Sequence, residues 1–101
     1  MDPLVIEKMI EQGRDGYEAR LAAGQAWLKR GEADRALVHL ERACETAPDR
    51  SMAWQELGRA RLESGSEDGA RQAWTRGIEV AAGNGDKQAE KVMSVWLRRL
   101  K

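Results

Sequence analysis

Of the residue types most often used for acid–base, nucleophilic or metal chemistry, histidine and cysteine occur once each, His39 and Cys44. They lie five positions apart, and on a helix that spacing turns the two side chains about 140° apart. They form no local dyad. A single cysteine excludes an internal disulfide and leaves a cysteine-based zinc site short of ligands. Cys44 falls at an apolar helix position, which predicts an inert core thiol. His39, set between the apolar positions Ala36, Leu40 and Ala43, is expected to face solvent. Gly83-Asn84-Gly85 reads as a turn and not a phosphate cradle, since it follows a helical stretch and lacks a Lys-Ser/Thr ending. No catalytic residue, bound metal or cofactor is therefore expected, and the chain reads as a non-enzyme.

The elements that would position any site are bounded first by size and charge. A chain of 101 residues has room for one domain, which would bury roughly two-thirds of the surface exposed when unfolded. Seventeen basic and seventeen acidic residues cancel, so no global field favours nucleic acid or an anionic membrane, and neither partner is expected. Arg98, Arg99 and Lys101, with Arg71 and Arg76, read as favourable charge near helix ends and ordinary solubility. No stretch approaches the roughly 20 apolar residues needed to cross a bilayer. The start Met1-Asp2-Pro3 is acidic where a signal peptide needs positive charge, and Leu4-Val5-Ile6 is too short for its apolar segment. With the lone cysteine, this gives a cytoplasmic protein as the expectation.

Few β-branched residues, no phenylalanine, and abundant Ala, Leu, Glu, Arg and Gln favour helix nearly throughout. Asp2 before Pro3 is a helix-start signal, so a first helix is predicted over 3–12. A second begins near Tyr17 and stops at Gly31, where glycine accepts the left-handed conformation. A third spans 33–46, carrying Ala36, Leu37, Leu40, Ala43 and Cys44 on one face, with Pro48 beyond it. The fourth and fifth are predicted over 52–64 and 67–82, separated by Gly65. The sixth, over 86–100, has Ala89, Val92, Met93, Trp96, Leu97 and Leu100 as an amphipathic stripe.

These helices are a duplication. Residues 17–50 and 51–84 are one 34-residue unit written twice, matched at Ala19/Ala53, Gly24/Gly58, Ala26/Ala60, Leu28/Leu62 and Gly31/Gly65. Asp34/Asp68, Ala36/Ala70, Arg42/Arg76, Glu45/Glu79 and Ala47/Ala81 bring the identities to ten, where about three are expected by chance. Glycine inside a helix costs about 1 kcal/mol relative to alanine, so Gly24 and Gly58 imply a close approach, expected against Ala36 and Ala70.

Trp54-x2-Leu57-Gly58, Ala60, Gly65, Ala70 and Trp74, with Gly24, Trp27, Gly31, Ala36, Leu40, Ala43 and Pro48 in the first unit, resemble the tetratricopeptide repeat family. Arg20, Arg61, Gly77 and Ala82 depart from its preferences for Trp, Tyr, Ala and Pro. The resemblance implies an all-α solenoid of antiparallel helix pairs, six helices in all, as a small two-repeat protein of a bacterial kind. Residues 1–16 and 85–101 would form half-repeat caps, the latter with one residue inserted in the loop so that Trp96 takes the place of Trp27. Trp27, Trp54 and Trp74 fall on packing positions. Trp96 either covers the second repeat or stays partly open.

The resemblance also implies a function, the binding of a peptide or partner protein in a concave groove. Groove positions would be Glu18, Leu21, Gln25, Leu28 and Lys29 on the first repeat, and Met52, Gln55, Arg59, Leu62 and Glu63 on the second. Lys87, Ser94 and Arg98 would extend it. Family members that clamp a C-terminal carboxylate use Lys and Asn where this chain has Leu21 and Gln25, so that activity is not expected. The leading reading is a non-catalytic adaptor or scaffold. Its rival is a structural protein that associates with itself through the last helix, a monomer or weak homodimer.

Overall fold

The computed structural model describes residues 1–100; Lys101, part of the basic C-terminal cluster, lies outside them. Among the described residues there are six helices and no strand: α1 (Pro3–Glu11), α2 (Tyr17–Lys29), α3 (Ala33–Thr46), α4 (Ser51–Glu63), α5 (Glu67–Gly83) and α6 (Lys87–Arg99). Each helix packs on the next, and α4 also touches both α2 and α6. The result is an all-α solenoid in two rows, α2, α4 and α6 along one face and α1, α3 and α5 along the other.

Local sequence sets the ends. The Leu4 N–H donates to Asp2 Oδ1 at 2.9 Å and Pro3 occupies the first turn of α1. The Ser66 hydroxyl and the Asp86 carboxylate accept from the Gly69 and Ala89 N–H groups at the starts of α5 and α6. Gly31 and Gly65 take φ of 77° and 95°, and the Glu32 and Ser66 N–H groups reach back to the Trp27 and Arg61 carbonyls. That closure needs a left-handed residue, which is why both units carry glycine there.

Within each pair the helices interlock through a glycine, against a different partner from the alanine expected. A Cβ on Gly24 would overlap the Leu40 side chain, and one on Gly58 would overlap the Trp74 indole. The small residue is a socket for a large one, and the dispersion attraction of that close fit offsets the helix penalty of glycine. Gly77, a departure from the family pattern, makes room in the same way for Met93 of α6, with Trp54 alongside. Trp27 and Trp74 are buried, and Trp54 is partly buried with its indole N–H donating to the Pro48 carbonyl at 3.0 Å. The second core cluster joins Ala70, Trp74, Ala81, Ala89 and Met93, so α6 is sealed onto α5.

The register of α6 differs from the expectation. Helices α2 and α4 start 34 residues apart, at Tyr17 and Ser51, but α6 starts at Lys87, 36 residues after Ser51. Two residues are inserted, not one, because α5 runs on to Gly83. Ala89 thus stands where Ala53 stands, and Met93 where Leu57 does; all four are buried. Leu97, not Trp96, takes the place of Trp27, and Ser94 takes the place of Gly24 and Gly58.

Candidate interaction surface

At the N-terminal end the lone histidine is not solvent-exposed, contrary to expectation. His39 is 7% exposed, enclosed by side chains that reach it from α1 and α2. Its Nδ1 is 3.1 Å from Arg20 Nη1 and its Nε2 is 2.7 Å from Glu7 Oε2. A guanidinium can only donate, so Nδ1 accepts and the Nε2–H donates to the carboxylate. The Trp27 indole N–H donates to the same Glu7 oxygen at 3.0 Å, and Asp15 grips Arg20 at 2.6 Å. The hydrogen bond from His39 leads the interactions that hold the Glu7 carboxyl below its usual range, against an opposing push from burial. This network explains Arg20 in a position the family gives to Trp. It fastens α1, the 12–16 linker, α2 and α3 together, and every member has a partner inside the fold.

Cys44 is buried, and burial pushes its thiol up to about 12, so it is neither a nucleophile nor a ready metal ligand. It underlies a 580 Å³ hollow between α3, α4 and α5. The charges on that rim serve the fold: Arg61 lies 3.6 Å from Glu41 and donates to the Gly69 carbonyl, and Arg76 lies 3.6 Å from Glu79. Among the described residues no three His, Cys, Asp or Glu side chains are grouped to hold a metal ion. No described helix is long and apolar enough to cross a membrane.

The row formed by α2, α4 and α6 carries the expected groove residues, distributed over three hollows. Leu21 and Met52 share one of 390 Å³ with Tyr17 and Arg50, where Arg50 pairs with Glu18 at 2.9 Å and lies 4.4 Å from the Tyr17 ring centre. Gln25 and Lys29 share one of 370 Å³ with Ile6 of α1. Arg59, Leu62 and Glu63 share the third, a cleft of 460 Å³ between α4, α5 and α6. Leu28 is withdrawn from this surface: it is buried in the core cluster with Trp27 and Leu40. Gln55 is half-buried, and its carbonyl accepts from the Trp74 indole at 3.0 Å.

The third cleft contains what the sequence reading missed. Trp74 and Trp96 meet with ring centres 5.4 Å apart at 51°, and with Leu62 and Leu100 they line an apolar recess rimmed by Arg59, Glu63, Glu67 and Arg99. Trp96 is half-buried, packed on one side and open on the other. The amphipathic period of α6 marked these side chains as apolar but could not say that α4 leaves one edge uncovered. Glu56, one turn before Arg59, is also buried. Desolvation raises its carboxyl above the usual range, and Arg59 at 3.1 Å partly opposes that rise. The two-residue shift in α6 puts Gln88, Lys91 and Val95 where Met52, Gln55 and Arg59 stand on α4, and leaves Arg98 level with Leu62. Lys87 instead opens the helix, and Ser94 falls at the socket position facing away from the row.

No protein-family model matches the chain. The TPR repeat-containing protein PA0015 of Pseudomonas aeruginosa is 47% identical to it over 95 residues, spanning 94% of this chain and 90% of that protein. The solution structure of protein BPP2914 from Bordetella parapertussis superposes with a TM-score of 0.83 at 38% identity, covering 97% of this chain and 85% of that one. Helix pairs repeated every 34 residues and locked at Gly24 and Gly58 agree with that relationship along nearly the whole length. The chain belongs to the tetratricopeptide repeat family.

Proposed function

We propose that the protein is a non-catalytic interaction module that holds a segment of a partner polypeptide along α2, α4 and α6. Residues 17–50 and 51–84 act as its two full repeats, and 1–16 and 85–101 as caps. The observation that carries this reading is the Trp74–Trp96 cleft, an open apolar recess rimmed by charged side chains. Sites for peptide anchors combine such a recess with a few polar groups that orient the chain. Here Leu62 and Trp96 would grip one aliphatic or aromatic side chain. Arg59 and Glu63 would hold the flanking backbone, and Met52 with Leu21 would offer a second, shallower contact.

The test is selection from a random peptide library on the immobilised protein. Enriched sequences should share one large apolar residue, and Leu62→Asp, a change at an exposed position, should abolish their capture while helical circular dichroism is unchanged. Peptides that bind Leu62→Asp and Arg59→Glu as well as the parent protein would remove the site from this face.

A further inference from the structure

The turn between α5 and α6 reads Gly83-Asn84-Gly85-Asp86, and all four residues are exposed. Asparagine is a thermally labile residue, most of all before glycine, where no Cβ hinders attack of the next backbone nitrogen on the side-chain amide. Here each reacting group is engaged elsewhere. The Gly85 N–H donates to the Ala82 carbonyl at 3.2 Å, and the Asn84 Nδ2–H donates to the Asp49 carbonyl at 2.8 Å. The second bond spans 35 residues and ties the α3–α4 turn to the α5–α6 turn. Asp86 caps α6 and lies 3.4 Å from the Ser51 hydroxyl, so the same turn also sets where α6 begins.

We propose that Asn84 is a site of spontaneous deamidation, shut while this turn is closed and open to reaction when the turn opens, and that conversion then loosens α6. In the open turn the Gly85 nitrogen gives its proton to solvent base and bonds to Asn84 Cγ. The Cγ–Nδ2 bond breaks and ammonia leaves with a proton from water, giving a cyclic imide. Water then adds to one imide carbonyl. Addition at Cγ gives aspartate, and addition at the main-chain carbonyl gives isoaspartate, whose backbone passes through Cβ and is one atom longer. Either product carries a new carboxylate that can only accept, so the bond to the Asp49 carbonyl is lost. Asp49 and Asp86 border the same hollow as Asn84, and the cation that lines it, Arg50, is paired with Glu18 at 2.9 Å. The added charge therefore meets repulsion.

Incubation of the full chain in mildly alkaline buffer, with and without urea, tests this by intact mass and by tryptic mapping of residues 77–87. Asn84 should gain one mass unit and appear as both aspartate and isoaspartate, at least about tenfold faster in urea. Asn84→Gln should stay unconverted at this position, since the longer side chain forms its ring far more slowly. Asn84→Asp should raise the unfolding equilibrium constant by about fivefold and speed amide exchange more in α6 than in α3. Absence of conversion at Asn84 in urea overturns the proposal. So do equal rates with and without urea, or an Asn84→Asp chain whose stability and α6 exchange match the parent.

Discussion

The imidazole of His39 on α3 stands 2.7 Å from the carboxylate of Glu7 on α1, and this contact ties the N-terminal helix to the first helix pair. Glu7 also receives the Trp27 indole N–H, so one carboxylate satisfies two buried donors. Removing it leaves both without a partner.

Glu7→Gln keeps an amide oxygen to accept both bonds but loses the charge, and should destabilise the protein by about 1 kcal/mol at neutral pH, the difference between a hydrogen bond to a charged group and one to a neutral group. The pH dependence has a definite sign. The folded state holds the Glu7 carboxyl below its usual range, so the stabilisation is complete above the ordinary Glu range and fades as pH falls through the lowered folded value. Urea unfolding at a series of pH values should show the deficit of Glu7→Gln shrinking in acid. A deficit that is constant with pH would mean that the carboxylate charge contributes nothing.

Glu56 should behave in the opposite way. Burial raises its carboxyl in the folded state, so its contribution is most favourable below the ordinary Glu range of about 4.3 and declines as pH rises through the raised folded value. Glu56→Gln removes that decline, and should melt above the parent at neutral pH and level with it in acid. A variant that melts below the parent at neutral pH would show that the Arg59 pair outweighs desolvation.

The glycine sockets give a sharper contrast. Gly58→Leu forces a side chain into the Trp74 indole, and should cost about 3 kcal/mol or more. Ser94→Leu, at the same register of α6 with no helix over it among the described residues, should cost less than about 1 kcal/mol. Equal losses in thermal melts of the two variants would contradict the register assigned to α6.

Trp96 is half-buried, so Trp96→Ala should cost about 2 kcal/mol, less than the roughly 3 to 5 typical of a fully enclosed ring. Deleting the residues after Gly85 goes further, since it exposes Trp74, Ala81 and Gly77 together, and should give an aggregating or poorly helical product. A truncated chain that remains monomeric at an unchanged melting temperature would refute the role of α6 as a cover.

The bounds of α3, and the turns at Gly31 and Gly65, were legible because each depends on a handful of adjacent residues whose chemistry acts locally. Period and punctuation likewise revealed the duplication and the α2, α4 and α6 row. What escaped depends on a neighbour. The apolar stripe of α3 ran just beside His39, and nothing in α3 itself records that Glu7 and Arg20 come to its two nitrogens. Gly24 and Gly58 announced a close approach without naming Leu40 and Trp74, which sit one helical turn beyond the alanines expected. The α6 register slipped because the extra residues were absorbed by lengthening α5, and a helix can take up residues without any change in composition. Leu28 looked like its repeat mate Leu62, yet one is buried in the core cluster and the other borders the open cleft.

The most direct test of the peptide-binding cleft is a heteronuclear NMR titration of the uniformly ¹⁵N-labelled chain with a library-selected peptide, reading the four tryptophan indole resonances. The Trp96 and Trp74 indoles should shift together with the backbone amides of Arg59 and Leu62, while the Trp27 indole, held by Glu7 at the far end, stays in place. Shifts confined to Trp27 and the outer row of α1, α3 and α5, with the Trp96 indole unmoved, would contradict a binding site in this cleft.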